Sequence, residues 1–352
     1  LKTNEADFAE LRAASQRPYS QYPIDYEVPN PVAIRLPHLS SVRAICRRLQ
    51  LKACAELALG RSEEALEDVK LSLSLADSVK NEPFLVSYLV RVACLQIATQ
   101  PIWEGLAEHA WSDAELRELE TRLQKYDFVA DLKPALDAER ASGIAMIDFI
   151  KHTGDVSELA SVFLSSPWGW PNAVWRILPS GWYEQEQLNY CYLYQAVFAN
   201  VSDAASRRVS PSRIAANSGK LEQAFDVRGF TILLVHHRFM SGMMLPGLSA
   251  VIRKGAAAQI AVDQAVLACA LERYRLANGQ FPEGLEALTP QFVTKPPHDV
   301  ITGEPYKYRR REDGQFVLYS VGWNEKDDGG LPGRSLFDQE AGDWVWQYPS
   351  KQ

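Results

Sequence analysis

Cysteine is scarce in this chain, five residues in 352, and none stands in a C-x-x-C or other metal-ligand spacing. A zinc ribbon and a dense disulfide scaffold are both excluded on that ground. Also missing are H-E-x-x-H, G-x-S-x-G, a P-loop and a dinucleotide-binding glycine pattern, so none of the common catalytic signatures is present. An acid and base pair drawn from the 44 carboxylates would leave no trace at this level. Long apolar runs are lacking too. The longest, residues 230–252, is broken by His236, His237, Arg238 and Pro246, short of the roughly 18 nearly uninterrupted apolar residues of a membrane span. Basic stripes do not occur either: 37 lysines and arginines stand against 44 aspartates and glutamates, a net charge of −7 spread along the chain. Nucleic acid is therefore not expected as a partner, because phosphate recognition rests on clustered positive charge.

What is present is the balance of an ordinary globular protein, 47% hydrophobic and 23% charged. The length predicts two cores. Cys46, Cys54, Cys94, Cys191 and Cys269 sit mostly among alanines and leucines and read as buried thiols, a usage that by itself favours a reducing compartment. The numbered chain opens at Leu1, which leaves room for a preceding signal or anchor as the only route to a membrane.

Three regions follow from the pattern. Residues 1–38 carry Pro18, Pro23, Pro29, Pro31 and Pro37 with Tyr19, Tyr22 and Tyr26, and predict an extended surface arm because proline interrupts helices. Residues 39–220 read as an α-helical body. Val42, Ile45, Leu49 and Ala53 form one helical face; after Gly60, Leu66, Val69, Leu73 and Ala76 form another. That hairpin resembles the turn and second helix of a tetratricopeptide repeat, although no second copy follows about 34 residues on. Further helices are expected over 84–98, 112–126 and 133–151, the second opened by a capping box, Ser112 with Glu115.

Residues 167–194 are rich in aromatics, among them Trp168, Trp170, Trp175 and Trp182. They suit either a stacking platform for a sugar or peptide, or a wedge against the helical body. The Ser, Ala and Arg-rich stretch 202–220 reads as a loop and a boundary. His236 and His237 are adjacent, so on a helix their rings point about 100° apart and do not share a metal easily. They read as polar residues at a helix surface or interface.

Residues 221–352 form the third region. Val262, Val266, Ala270 and Tyr274 share a face of a long helix that stops at Asn278-Gly279, and Phe281-Pro282 redirects the chain. The segment 297–308 contains Gly303-Glu304-Pro305-Tyr306. Alternation through Tyr306, Tyr308 and Arg310, a turn at Asp313-Gly314, and the run 316–320 predict a hairpin, with a third strand over 344–348. An acidic, glycine-rich loop, residues 321–330, lies between.

This succession resembles the globular part of a type II secretion major pseudopilin, with Val300 standing where that family has proline. The resemblance covers about a quarter of the chain. It implies a C-terminal α+β module, one long helix carrying a three-stranded antiparallel sheet, and a calcium-holding loop. By it Asp328 and Asp343 are the leading ligands, with Asn324 and Asp327 second and backbone carbonyls near Ser320 or Val321 completing the shell. Upstream, Gly229-Phe230-Thr231 and Leu245-Pro246 resemble the start of a pilin helix, with Leu234 where pilins carry a glutamate.

The expectation is thus a mainly α protein with a small C-terminal sheet. Its implied role is non-enzymatic: an exported or membrane-anchored binding or assembly protein related to secretion or pilus-like systems, extracytoplasmic, with a protein partner. Two alternatives stand beside it, an intracellular helical protein-binding scaffold and a hydrolase with its site between body and tail.

Overall fold

A computed structural model describes residues 5–157, 172–198, 200–225, 235–245, 247–334 and 341–348. It is mainly helical, with a small C-terminal sheet. Helix α1 (Glu5–Ser15) precedes an extended stretch and a short 3-10 turn, Pro31–Ala33. The expected extended arm thus begins with a helix. Its prolines start only at Pro18, and Phe8, 5% exposed, gives α1 an apolar contact to bury.

Helices α2 (Pro37–Ala58) and α3 (Ser62–Ser78) form the expected hairpin, turning at Gly60, and α4 (Leu85–Ala107) packs on both. Their inward residues, including Val42, Cys46, Leu49, Leu71 and Leu75, build one apolar cluster with Phe8. Helix α4 continues through Pro101 beyond the expected end, because Ile102 and Leu106 extend its buried face. It is long and apolar enough to cross a bilayer, but 56% of its most apolar window is buried inside the fold.

The box at Ser112 and Glu115 forms in both directions and starts α5 (Asp113–Leu123). Helix α6 (Phe128–Thr153) follows, capped by Asp127. Next come α7 (Asn172–Ile177), α8 (Ser180–Phe198) and a two-stranded ribbon, β1 (Ser202–Asp203) with β2 (Arg208–Val209). The stretch read as a loop contains α9 (Pro211–Phe225): Pro211 opens it, and Ile214 and Leu221, two turns apart, are buried on one side. In the aromatic segment, Trp175, Trp182, Tyr183, Tyr190 and Tyr194 are all buried, which is the wedge arrangement. Trp168 and Trp170 lie outside the described residues.

After α10 (Phe239–Met244), α11 (Leu248–Asn278) runs through the middle of the molecule and packs on α4, α5 and α6 and on the sheet. It is buried on almost every side from Gly255 to Arg273, as its run of alanines, valines and leucines permits. Gly279 closes it in the left-handed conformation at φ 80°, donating to the Arg275 carbonyl. Strands β3 (Lys307–Arg310), β4 (Phe316–Ser320) and β5 (Trp344–Gln347) form one antiparallel sheet in that order, with Tyr308 opposite Leu318 and Leu318 opposite Trp346. A single apolar cluster runs from Leu116 and Phe128 of the helical body through Leu271 of α11 to Phe316 and Trp346 of the sheet.

Candidate functional site

The acidic loop leaves the sheet at the end of β4 and returns just before β5. Its closure depends on Gly342, at φ 98°, where a Cβ would lie 1.9 Å from the Gly333 nitrogen. Only glycine lets the two limbs of the loop approach so closely. That approach brings Asp343 beside Asp328. Asp343, 2% exposed, accepts hydrogen bonds from the amides of Asp328 at 3.2 Å and Gly330 at 2.6 Å. Asp328 Oδ2 accepts from Asn324 Nδ2 at 3.0 Å and from the Gly342 amide at 2.8 Å.

Asp327 faces elsewhere. It accepts from the Tyr319 hydroxyl at 3.1 Å and lies 3.7 Å from Lys307 Nζ. Burial pushes the Asp343 carboxyl up, the amides of Asp328 and Gly330 oppose this, and the neighbouring charges of Asp328 and Asp327 push it up further. The Asn324 hydrogen bond holds Asp328 below its ordinary value. Of the four residues named from sequence, Asp343 therefore meets Asp328 through the Asp328 amide, Asn324 is tied to the Asp328 carboxylate through its nitrogen, and Asp327 looks toward the sheet. Carboxylate oxygens are the donors a hard cation takes, and here Oδ2 of Asp328 and both oxygens of Asp343 accept hydrogen bonds from the protein. Among the described residues no group of three or more His, Cys, Asp or Glu side chains is arranged to hold a metal.

A second polar centre lies where the helical body meets the C-terminal region. Asp263, in the buried stretch of α11, accepts from Gln259 Nε2 at 2.9 Å, Arg207 Nη2 at 3.2 Å and the Tyr306 hydroxyl at 3.1 Å. Gln259 in turn accepts from the Phe128 amide at 2.7 Å. Arg207, in the turn of the β1–β2 ribbon, adopts φ 48° and lies 3.4 Å from Asp127 Oδ2. Nearby, Arg273 of α11 binds Asp113, Glu120 and the Phe292 carbonyl, each at 2.9 Å. This clamps α5 to α11 and to the connector before β3.

Sequence reasoning passed over Asp263. The available signal was a polar pair, Gln259 and Asp263, one turn apart in a stretch made mostly of alanines, valines and leucines. Arg207 carried no signal, being 56 residues away.

Burial raises the Asp263 carboxyl to about 6, against an ordinary value of 3.8, despite the lowering effect of Arg207, Gln259 and Tyr306. The folded chain therefore binds more protons than the unfolded chain between those pH values. Its stability from this group is full below about pH 4 and falls as pH rises through about 6, by on the order of 3 kcal/mol. Asp263→Asn is expected to abolish that slope. Urea unfolding of both proteins at several pH values checks this, and parallel curves across the interval would contradict it.

Other features seen in sequence take structural positions. Asn189 Nδ2 donates to the carbonyls of His236 and His237, at 3.1 and 2.8 Å, and the His237 ring packs on Trp182. The pilin-like start at residues 229–234 lies outside the described residues. A groove of about 420 Å³ between α4, α11 and β5 is lined by Trp103, Trp344 and Trp346 with Gln264, and no charged side chain lines it. Comparison with protein-family models, with curated proteins and with solved structures finds no match to this chain.

Proposed function

We propose that this chain is a non-enzymatic, extracytoplasmic binding or assembly protein related to secretion or pilus-like systems. Its helical body presents a surface to a protein partner, and its pseudopilin-like C-terminal module is stiffened by calcium. The observation that carries this reading is the meeting of Asp328 and Asp343, 15 residues apart in sequence, in a loop that closes only through Gly342. Calcium would be held there by Asp328 and Asp343, with Asn324 and Asp327 the adjoining oxygen-bearing side chains. It would supply positive charge between carboxylates that now repel one another. The long helix supporting an antiparallel sheet is the architecture this reading requires.

Thermal unfolding of metal-stripped protein, with and without millimolar calcium, tests the reading. An ion at about 100 times its dissociation constant adds roughly 2.7 kcal/mol to the native state. The expected result is a higher melting temperature that Asp328→Ala abolishes. No rise, or an equal rise in the variant, would refute the calcium loop.

A second reading, a hydrolase working at the junction of body and tail, is favoured by one observation. Asp127, Asp263 and His298 line a common cavity of about 390 Å³, and convergent titratable groups in a cavity are what general acid and base chemistry requires.

A further inference from the structure

That cavity is assembled by four segments distant in sequence. The α5–α6 turn supplies Tyr126 and Asp127, the β1–β2 turn supplies Arg207, α11 supplies Asp263 and Val266, and the connector before β3 supplies residues 294–298. Its lining combines both signs of charge with an apolar wall. Arg207 and Lys295 are the cations, and Asp127 and Asp263 are the anions.

The charges are not equally engaged. Both oxygens of Asp263 are occupied by protein donors. Asp127 uses Oδ1 to cap α6, accepting from the Ala130 amide at 2.9 Å. Its Oδ2 lies 3.4 Å from Arg207 Nε, yet that nitrogen is a buried donor without an acceptor. A buried donor of this kind calls for an explanation. Lys295 is exposed at the rim and forms no ion pair among the described residues. Arg207 Nε and Asp127 Oδ2, ion-paired at 3.4 Å without a hydrogen bond between them, thus border the same cavity as Lys295, which has no ion-pair partner among the described residues. Tyr126 and Val266 contribute apolar surface beside them.

We propose that this cavity binds a free α-amino acid. The ligand carboxylate lies between Arg207 and Lys295, its ammonium group meets Asp127 Oδ2, and its side chain rests on the apolar wall. A simple organic acid would leave its charge facing Asp127, and a simple amine would face Arg207. A zwitterion satisfies both, which is the electrostatic complementarity expected of a specific polar site. The proposal does not depend on the calcium loop or on hydrolysis, and a protein without catalytic activity can carry such a site.

Isothermal titration calorimetry of the full chain with each common amino acid at millimolar concentration is the test. N-acetyl and methyl-ester forms of any binder serve as arms lacking one charge each. Asp127→Asn keeps the helix cap, since asparagine caps as well as aspartate, and Lys295→Ala alters an exposed side chain. Lys295→Ala is therefore expected to leave the melting temperature unchanged, and Asp127→Asn, which gives up only the partly exposed ion pair with Arg207, to remain folded with a small shift. The expected result is saturable binding of at least one amino acid, weakened about tenfold or more in each variant and in each blocked form. The proposal is overturned if no amino acid binds, if the variants bind as the parent does, or if the blocked forms bind equally well.

Discussion

Asp68→Ala is expected to lower the unfolding free energy by about 3–5 kcal/mol, the range measured when one partner of a buried ion pair is removed. Asp68 is fully buried. Its carboxylate binds Arg12 Nη2 at 2.6 Å and Lys52 Nζ at 2.8 Å. Lys52 is itself only 7% exposed, and its remaining neighbour, Glu56 Oε1, is 4.0 Å away. Without Asp68 the ammonium group stays buried between α2 and α3 with poor compensation, and α1 loses its polar tie to α3. Urea unfolding measures the loss. The double variant Lys52→Met, Asp68→Leu is expected to recover most of it, since well-packed apolar residues replace such pairs at little cost. A single-variant loss below about 1 kcal/mol would show that Lys52 escapes to water.

The second large effect is expected from Phe316→Ala in β4, about 3–5 kcal/mol for a deleted core phenylalanine. Phe316 is 1% exposed and touches three other rings, Phe281, Tyr348 and Tyr308, at centroid distances of 4.9, 5.4 and 5.9 Å. These rings belong to the chain reversal after α11, the segment after β5, and β3. The cluster continues without a break into the helical body. The substitution should therefore shift the whole unfolding curve and leave one transition. Far-UV circular dichroism and tryptophan fluorescence should move together. Separate midpoints for the two signals would mean that the sheet and its helix unfold apart from the body, and that the continuous cluster does not couple them.

Much of the architecture was legible because it is local. The hairpin of α2 and α3, the capping box at Ser112, the stop of α11 at Gly279 and the three strands all follow from hydrophobic period, capping chemistry and turn residues within a few positions of one another. Local reasoning failed where burial overrode it. Pro101 did not end α4, because the next turn of that helix is buried. The serine and arginine content of residues 202–220 concealed α9, whose inward face needs only two large apolar residues, Ile214 and Leu221.

The two polar centres divide in the same way. The acidic loop was visible because its carboxylates and glycines are crowded into a short stretch, and resemblance supplied Asp343 as their companion. Which of them meet was a tertiary matter. It rests on the backbone contact of Gly342 with Gly333, which turns Asp343 to Asp328 while Tyr319 and Lys307 draw Asp327 away.

The junction of Asp127, Arg207 and Asp263 could not be read at all in one dimension. Its members come from a helix turn, a two-residue ribbon and the middle of a buried helix. By itself the sequence determined that the chain is mainly helical, with a long helix leading into a small antiparallel sheet, because periodicity and turn chemistry act over a few residues. The tertiary structure alone decided which charges share a low-dielectric space, because that depends on how α5, α6 and the β1–β2 ribbon pack around α11.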